Sequence, residues 1–445
     1  MRNRFWAALF NCVALLFLSG VVLARAGDLD KTFGNGGLFT TSLTQASVTL
    51  DNKITVQSDG KVIVAGQIQN HATLIRLKTD GTLDSSFGTG GVVTLNFLIH
   101  DPAVVGMAIQ SDGKIVAAIS SIDTSPSPLV ARFNTDGSLD TTFGSGGSAN
   151  LTIVGATALA LQPDGKILVA AGSNPQFLTA PPAMTRLNPN GQLDTSFGTS
   201  GVAVLFGPST TAMALQADGK ILIASGTLWI AAQSGYPAFP TGLIGVPLPG
   251  LIARYNTNGR IDKSFGISGQ TACLASASAI ALQSDGRIVV GGSITSQLAP
   301  PPAGNDAGFG LVRYNRNGTI DSSFGQHGVV ITGFAKAGPL ASSFALAVQS
   351  NGDIIAAGQV GQGVDISGNP GPSSFALARY TSAGKLDTTF GSGGKVVTTL
   401  GSTNTSFISA LTLQADGKIV VAGNSEFNTA QGFVNNFAVA RYLAQ

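Results

Sequence analysis

The chain has 445 residues and a formal net charge of +2. Only 11% of its residues are charged, against roughly 25% in a typical soluble domain. No basic stripe or acidic run occurs, so the composition argues against nucleic acid and anionic membranes as partners. Glycine contributes 58 residues, which is typical of turn-rich β structure.

The first 26 residues have the features of a secretory signal peptide. Arg2 and Arg4 precede a mostly apolar stretch at residues 5–23, and Ala24-Arg25-Ala26 fits the A-x-A cleavage pattern. An uncleaved membrane anchor is the alternative, because 19 mostly apolar residues could nearly span a bilayer. We expect cleavage after Ala26, which leaves a secreted or periplasmic domain of residues 27–445 with a net charge of −1 and no membrane insertion.

Cysteine usage sets a limit on how this domain is stabilised. Cys12 lies within the predicted signal, so Cys273 is the one cysteine of the expected mature chain. A single cysteine cannot form an internal disulfide. The hydrophobic core must therefore supply the stability of the domain.

Three linked elements recur seven times along the rest of the chain. They read approximately Leu-Asp-x-Ser/Thr-Phe-Gly-x-x-Gly, Gln-x-Asp-Gly-Lys-Ile and Ala-Arg-Tyr-Asn-x-x-Gly. The recurring aspartates of the first element are Asp30, Asp84, Asp140, Asp194, Asp262, Asp321 and Asp387. The recurring arginines of the third element are Arg76, Arg132, Arg186, Arg254, Arg313, Arg379 and Arg441. Repetition at such long, nearly regular intervals indicates a repeat architecture.

Each period is predicted to contain four short strands. In the third full copy, residues 158–162 and 166–170 are alternating or apolar runs joined by Pro163-Asp164-Gly165. Asp-Gly between two such runs is a strong hairpin signal. Third and fourth strands follow at 185–187 and 201–204. Seven periods of four strands without helices predict an all-β, seven-bladed β-propeller, with an open β-solenoid as the alternative.

The spacing of the recurring Arg and Asp favours a closed ring. Each of the first six arginines is followed eight residues later by an aspartate, whereas Arg441 has no following Asp and Asp30 has no preceding Arg. The two unpaired residues complete one another if the chain ends meet. We therefore predict that an N-terminal strand at residues 37–42 joins the C-terminal blade.

The recurring residues are interpreted first as structural. Phe is expected to pack between blades, where an aromatic ring buries a large area, and Asp and Arg are expected to pair or to cap turns at the blade edges. The alternative is a set of seven identical Ca²⁺ or ligand sites. Each copy offers one carboxylate where Ca²⁺ takes 6–8 oxygen ligands, so no metal or other cofactor is predicted.

Variation in length falls on one face of the predicted disc. In a four-strand meander the links between strands one and two and between strands three and four share a face, and here they are nearly constant. The longest link on the opposite face, residues 227–250, holds Trp229, Tyr236 and Phe239. We interpret these residues as a candidate aromatic platform for a sugar or peptide; the alternative is a loop that packs its own apolar residues over the ring.

Candidate catalytic residues are few. The acidic residues outside the repeated elements are Asp28, Asp51, Asp101, Asp123, Asp306, Asp353, Asp365 and Glu426. The histidines are His71, His100 and His327, and none is spaced as a metal-binding pair. No Gly-x-Ser-x-Gly element lies between a strand and a helix, so no nucleophile elbow is predicted.

The three repeated elements resemble those of the bacterial delta-60 repeat family over essentially all of residues 27–445. The resemblance implies an extracytoplasmic β-propeller. It implies no established activity, so it assigns no catalytic residue.

Two functional hypotheses follow from the sequence. The first is a secreted binding or scaffold module for a protein, peptide or glycan, held on the variable-loop face. The alternative is an enzyme with its active site in the central funnel, of the polysaccharide lyase, lactonase or quinone-dependent dehydrogenase type. The enzyme would require at least three of six acids outside the repeated elements to converge near the axis, namely Asp51, Asp101, Asp306, Asp353, Asp365 and Glu426.

Overall fold

The structure is a computed structural model of the chain. It describes residues 24–41, 52–68, 71–97, 99, 102–121, 128–172, 181–207, 210–226, 250–273, 276–294, 308–334, 340–362, 371–400, 405–429 and 432–445. Within these ranges the secondary structure consists of β-strands, bridges and turns. No helix long and apolar enough to cross a membrane occurs in the described part of the chain.

The strands form seven four-stranded antiparallel sheets, which are the blades of a propeller. Blade 1 contains β2 (Lys53–Val56), β3 (Val62–Ile68), β4 (His71–Leu77) and β5 (Val92–Thr94). Blade 2 contains β6 (Pro102–Ile109), β7 (Ile115–Ser121), β8 (Leu129–Phe133) and β9 (Ser148–Asn150). Blade 3 contains β10 (Ala156–Leu161), β11 (Ile167–Ala171), β12 (Ala183–Leu187) and β13 (Val202–Val204). Blade 4 contains β14 (Thr210–Leu215), β15 (Ile221–Ser225), β16 (Gly250–Tyr255) and β17 (Gln270–Cys273).

The remaining three blades follow the same order. Blade 5 contains β18 (Ser276–Leu282), β19 (Ile288–Ile294), β20 (Gly308–Tyr314) and β21 (Val329–Thr332). Blade 6 contains β22 (Leu340–Val348), β23 (Ile354–Gly361), β24 (Ser373–Tyr380) and β25 (Lys395–Thr398). Blade 7 contains β26 (Thr405–Leu413), β27 (Ile419–Thr429), β28 (Gly432–Tyr442) and, from the other end of the chain, β1 (Leu38–Thr40). The predicted seven-bladed propeller of four-stranded blades is confirmed.

The repeated turns set the spacing of the strands. Each Asp-Gly turn joins the first and second strands, and its glycine adopts a positive φ, as at Gly165 with φ +81°. Glycine is favoured there because other L-residues rarely adopt that conformation. The aspartate Oδ1 atom accepts a hydrogen bond from the backbone N–H two residues on, as Asp164 does from Lys166 at 3.1 Å.

The seven blades close into a ring around a central axis. The first strand of each blade lies beside the first strands of both neighbouring blades, and β2 of blade 1 lies beside β26 of blade 7. Strand β1 pairs antiparallel with β28, in the register that places Phe39 opposite Val439. Nε of Arg441 lies 2.9 Å from Oδ2 of Asp30. An N-terminal strand therefore completes the C-terminal blade.

The hydrophobic core lies between the blades and consists of seven apolar clusters. The second and third strands are buried on both faces, which accounts for their nearly continuous apolar sequences. In blade 3, for example, Ile167 and Val169 face blade 2, whereas Leu168 and Ala170 face blade 4. This arrangement presents the strand edges, the turns and the links between strands on the two faces of the disc.

Candidate functional site: two faces of the disc

We call the face that carries the first-to-second and third-to-fourth links the constant face. Five residues separate the first and second strands in all seven blades. Fourteen residues separate the third and fourth strands in each of the six blades that are continuous in sequence. Every blade therefore presents the same set of turns on this face.

Each blade holds one buried cluster of ionic groups on the constant face, and blade 3 shows its geometry. Oδ2 of Asp194 lies 2.8 Å from Nε of Arg186 and 2.9 Å from Nζ of Lys166. Oδ1 of Asp194 accepts hydrogen bonds from the backbone N–H and the hydroxyl of Ser196, at 3.1 and 2.6 Å. Both carboxylate oxygens are thus engaged inside one blade.

The Arg–Asp pair occurs in all seven blades. The Nε–Oδ2 distances are between 2.7 and 2.9 Å. The pairs are Arg76–Asp84, Arg132–Asp140, Arg186–Asp194, Arg254–Asp262, Arg313–Asp321, Arg379–Asp387 and Arg441–Asp30. The eight-residue spacing is explained by the fold, because the backbone N–H of the aspartate also donates to the carbonyl of the arginine, as Asp194 does to Arg186 at 2.9 Å.

The same arginines join each blade to the next. Nη1 of Arg186 donates to the carbonyl of Thr257 in blade 4 at 2.6 Å, and Nη1 of Arg441 donates to the carbonyl of Thr79 in blade 1 at 2.6 Å. Each guanidinium also lies 4.5 to 4.8 Å from the centre of the buried Phe ring of its own blade. Each arginine side chain therefore binds the turn of its own blade and a carbonyl group of the next blade.

The recurring Phe docks against a glycine of the following blade. Phe143 is fully buried, and a Cβ atom built on Gly191 of the next blade would lie 3.0 Å from its ring. The backbone N–H of Gly144 donates to the carbonyl of Asn190 at 2.8 Å. The glycine of the Asn-x-x-Gly element is thus required both by its positive φ and by the approach of the ring.

The ionic clusters hold the aspartates in the charged form. Burial acts to raise the pKa of Asp30, but hydrogen bonds from Thr32 and the positive charges of Arg441 and Lys418 outweigh it and lower the pKa to about 2. The pKa is likewise lowered at Asp84, Asp140, Asp194, Asp262, Asp321 and Asp387. A carboxylate stabilised this strongly as an anion is unsuited to general acid or base catalysis at neutral pH.

Blade 6 departs from the pattern. Six blades have Lys or Arg beside the aspartate, but the equivalent position in blade 6 is Asp353. Asp353 accepts a hydrogen bond from Nδ2 of Asn351 at 2.7 Å. The Asp387 side chain is 17% exposed, against 5 to 8% for its six equivalents. Blade 6 therefore has a weaker ionic cluster.

We call the opposite face, which carries the second-to-third and fourth-to-first links, the variable face. The second-to-third link only spans from Ile68 to His71 in blade 1, but it spans from Ser225 to Gly250 in blade 4. The predicted platform residues Trp229, Tyr236 and Phe239 lie outside the described residues.

Blade 7 contributes described polar contacts to the variable face. Strands β27 and β28 have 11 residues each and extend beyond those of the other blades. The hydroxyl of Thr405 donates to Oε2 of Glu426 at 2.5 Å. Nδ2 of the buried Asn52 in blade 1 donates to Oδ1 of the buried Asn424 in blade 7. The contact between the two asparagines joins the first and last blades of the ring.

Phe206 is an exposed aromatic residue that the sequence did not single out. Phe206 follows the last strand of blade 3, is 46% exposed, and donates its backbone N–H to the hydroxyl of Tyr255 in blade 4 at 2.8 Å. Because the other copies have no aromatic residue at this position, departure from the repeat was the signal that could have identified it.

The described acids do not form a catalytic centre. Asp353 lies in a constant-face turn, whereas Glu426 lies near the variable-face end of β27. Asp51, Asp101, Asp306 and Asp365 lie outside the described residues. Among the residues that the structure describes, no three His, Cys, Asp or Glu side chains are placed to hold a metal ion.

A groove of about 600 Å³ lies at the rim between blades 7 and 1. It is lined by β1 residues, by the Gly81–Leu83 turn and by Leu400. The lining contains no titratable side chain, so the groove offers surface for contact and no acid–base chemistry.

Comparison with known families supports the repeat assignment. The chain matches the model of a β-propeller family described as a domain of unknown function, DUF5122. The matched segments are residues 57–87, 110–143, 162–197, 283–324, 349–390 and 414–445, just under half of the chain. Blade 4, which carries the long insertion, lies outside these segments. The name delta-60 repeat is not part of that description and remains a resemblance. No curated protein matches the chain.

Several solved structures are similar to the chain at low identity. A catalytically inactive virginiamycin B lyase from Staphylococcus aureus is 13% identical with a TM-score of 0.43, over 79% of this chain and 87% of that one. The polysaccharide lyase Uly1 is 11% identical with a TM-score of 0.46, over 94% and 97%. The extracellular domains 1–2 of Drosophila Semaphorin 1b are 10% identical with a TM-score of 0.42, over 94% and 87%. At TM-scores below 0.5, these similarities assign no property to this chain.

Proposed function

We propose that this protein is an exported binding module that holds a protein, peptide or glycan on its variable face. The observation that carries the proposal is the contrast in link length between the two faces. Links on the constant face have the same length in every continuous blade, whereas second-to-third links on the variable face differ widely, from the short Ile68–His71 connection to the long Ser225–Gly250 connection. Loops that vary on a rigid scaffold are where binding residues concentrate.

The chemistry of the constant face supports the same assignment. Its recurring aspartates and arginines are buried and paired with one another. Breaking such a pair to contact a ligand would leave an uncompensated buried charge, which costs about 3–5 kcal/mol. We therefore assign these groups to stabilising the ring and not to binding a ligand.

The proposed site is centred on the insertion of blade 4. Trp229, Tyr236 and Phe239 supply aromatic side chains of the kind that stack on sugar rings or pack against peptide side chains. Phe206 adds an exposed aromatic ring in the adjoining blade. The low charge of the chain favours a partner recognised by stacking and hydrogen bonds over one recognised by strong electrostatic attraction.

The test compares three baits in pull-downs from the native envelope and medium. The first bait is the mature chain. The second has residues 229–248 replaced by a short Gly-Ser link. The third, a matched constant-face control, carries Asp164→Ser and Asp416→Ser, whose side chains are 57% and 53% exposed. Glycan and peptide arrays with the same three proteins identify the class of ligand.

The proposal predicts that a partner bound by the first and third baits is lost by the second. Equal binding by all three baits would move the site away from the insertion. Loss of binding by the third bait alone would place the site on the constant face and contradict the proposal. If no bait binds a partner, catalysis in the funnel becomes the better hypothesis.

A further inference from the structure

The turn after the third strand has the same backbone bonds in every continuous blade. In blade 2, Gly137 donates its N–H to the carbonyl of Asn134 at 2.9 Å. The residue before the glycine, Asp136, accepts the N–H of Gly88 from the preceding blade at 2.8 Å. This turn receives the Phe-Gly corner of its neighbour and so links two blades.

In blade 7 the same turn is assembled from both ends of the chain. Gly27 donates its N–H to the carbonyl of Leu443 at 2.9 Å, and Ala26 accepts the N–H of Gly391 from blade 6 at 2.8 Å. Arg379 of blade 6 donates to the carbonyl of Ala444. Ala26 thus takes the place that Asp136 occupies in blade 2.

The boundary between exposed and buried chain falls just before this turn. Ala24 and Arg25 are exposed, whereas Ala26 is 7% exposed and Gly27 is buried. The Ala26 side chain belongs to the apolar cluster between blades 6 and 7, together with Phe390. Ala26 is therefore part of the folded domain.

The backbone N–H of Arg25 donates to Oδ2 of Asp28 at 2.8 Å. An α-ammonium group at Arg25 would stand at the same place, facing that carboxylate. An α-ammonium group at Gly27 would instead put a positive charge on a buried residue, and burial of a charge without a charged partner is unfavourable.

We infer that the leader is cut between Ala24 and Arg25, two residues before the position that the A-x-A pattern favours. The inference rests on the export that we propose. Val22 and Ala24 supply an aliphatic residue and a small residue before this bond. Water adds across the Ala24–Arg25 peptide bond, leaving a carboxylate on Ala24 and an α-ammonium on Arg25. The mature chain then keeps Ala26 and gains an ion pair between its N-terminus and Asp28.

The test is N-terminal sequencing and intact-mass measurement of the exported protein, produced from the full chain. We expect a mature chain that begins at Arg25. A chain that begins at Gly27, or an exported chain that keeps its leader, would overturn the inference. A chain that remains inside the cell with its leader attached would overturn it together with the export on which it rests.

Two substitutions test the position of the cleavage, and a comparison of two purified chains tests the contribution of Arg25 and Ala26 to stability. Val22→Asp should abolish the Arg25 terminus, whereas Ala26→Gln should leave it unchanged. Purified 25–445 should melt at a higher temperature than 27–445, and Asp28→Asn should lower the melting temperature of 25–445 more than that of 27–445. Equal melting temperatures of 25–445 and 27–445 would show that Ala26 and the terminal ion pair add nothing to the fold.

Discussion

The two faces of the disc are built from the same strands, but the repeated sequence is conserved from blade to blade on one face and varies on the other. On the constant face, the links have a fixed length and carry seven Arg–Asp pairs. They also bring the recurring Phe of one blade into contact with a glycine of the next blade. On the variable face, link length changes from blade to blade. Residues that recur on one face therefore stabilise the ring, and the residues that differ between copies are those free to determine function.

Lowering the pH is expected to have the largest effect, because it removes the charges of the constant-face aspartates and so destabilises the fold. The constant-face aspartates have lowered pKa values in the folded state, so they stabilise the fold above the unfolded pKa of about 3.9 and lose that contribution as the pH falls toward their folded values. With its pKa lowered to about 2, Asp30 alone accounts for about 2.5 kcal/mol. We expect the melting temperature to fall steeply between pH 4 and pH 2. A melting temperature that is flat over this range would contradict the structural role of the clusters.

A single constant-face substitution should cost less than protonation of all seven aspartates. Asp194→Asn leaves Arg186 and Lys166 without their carboxylate, and we expect a loss of about 3–5 kcal/mol in the free energy of unfolding. Denaturant unfolding measures it. The control is Asp164→Asn, whose side chain is 57% exposed and whose effect should stay within about 0.5 kcal/mol. Similar losses for the two variants would show that the buried cluster has no special role.

The contact between Phe and Gly can be separated from backbone strain. Gly191→Ala combines a positive φ of +87° with contacts of 3.0 Å or less to Phe143 and Gly144, so we expect a loss of about 2–4 kcal/mol. Gly146 has a φ of +61°, but a Cβ atom added there would have nothing within 4 Å, so Gly146→Ala should cost only the strain, about 1–2 kcal/mol. Denaturant unfolding of both variants measures the difference. If the two variants are equally stable, the ring does not depend on this glycine.

Blade 6 offers a stabilising change of smaller size. Asp353→Lys would restore the cation that six blades place beside the aspartate, here Asp387. Because the equivalent lysines are about 30% exposed, we expect a gain of at most about 1 kcal/mol. The midpoint of denaturant unfolding measures it, and high salt should reduce the gain. A loss of stability would show that blade 6 requires its carboxylate.

The local and regular features of this fold could be predicted from the sequence. The Asp-Gly turns and the alternation of apolar residues identified the strands, and the eight-residue spacing of Arg and Asp led from the unmatched Asp30 and Arg441 to ring closure. That spacing was informative because it reflects a direct backbone contact within one turn.

Contacts between distant residues were not identified. The lysine of the Asp-Gly turn pairs with an aspartate 26 residues away in blade 2 and 42 residues away in blade 4. Because the number of residues between lysine and aspartate differs from blade to blade, the sequence does not reveal the pair. It becomes evident only when the second and third strands are placed side by side. The bulge in the first strands, such as that between Ala156 and Ala158, also has no turn residue to signal it. Residues of the variable links occur once each, so no repetition could reveal their role.

The most direct test of the division between the faces is denaturant unfolding of the variant in which residues 229–248 are replaced by a short Gly-Ser link. These residues lie outside the part of the chain that the structure describes. We expect one cooperative transition, with a free energy of unfolding within about 0.6 kcal/mol of that of the intact chain, because a twofold change in loop length costs about that much. A large loss of stability, or a separate transition for blade 4, would show that the insertion packs as part of the fold and would contradict the division between a structural constant face and a variable face free for binding.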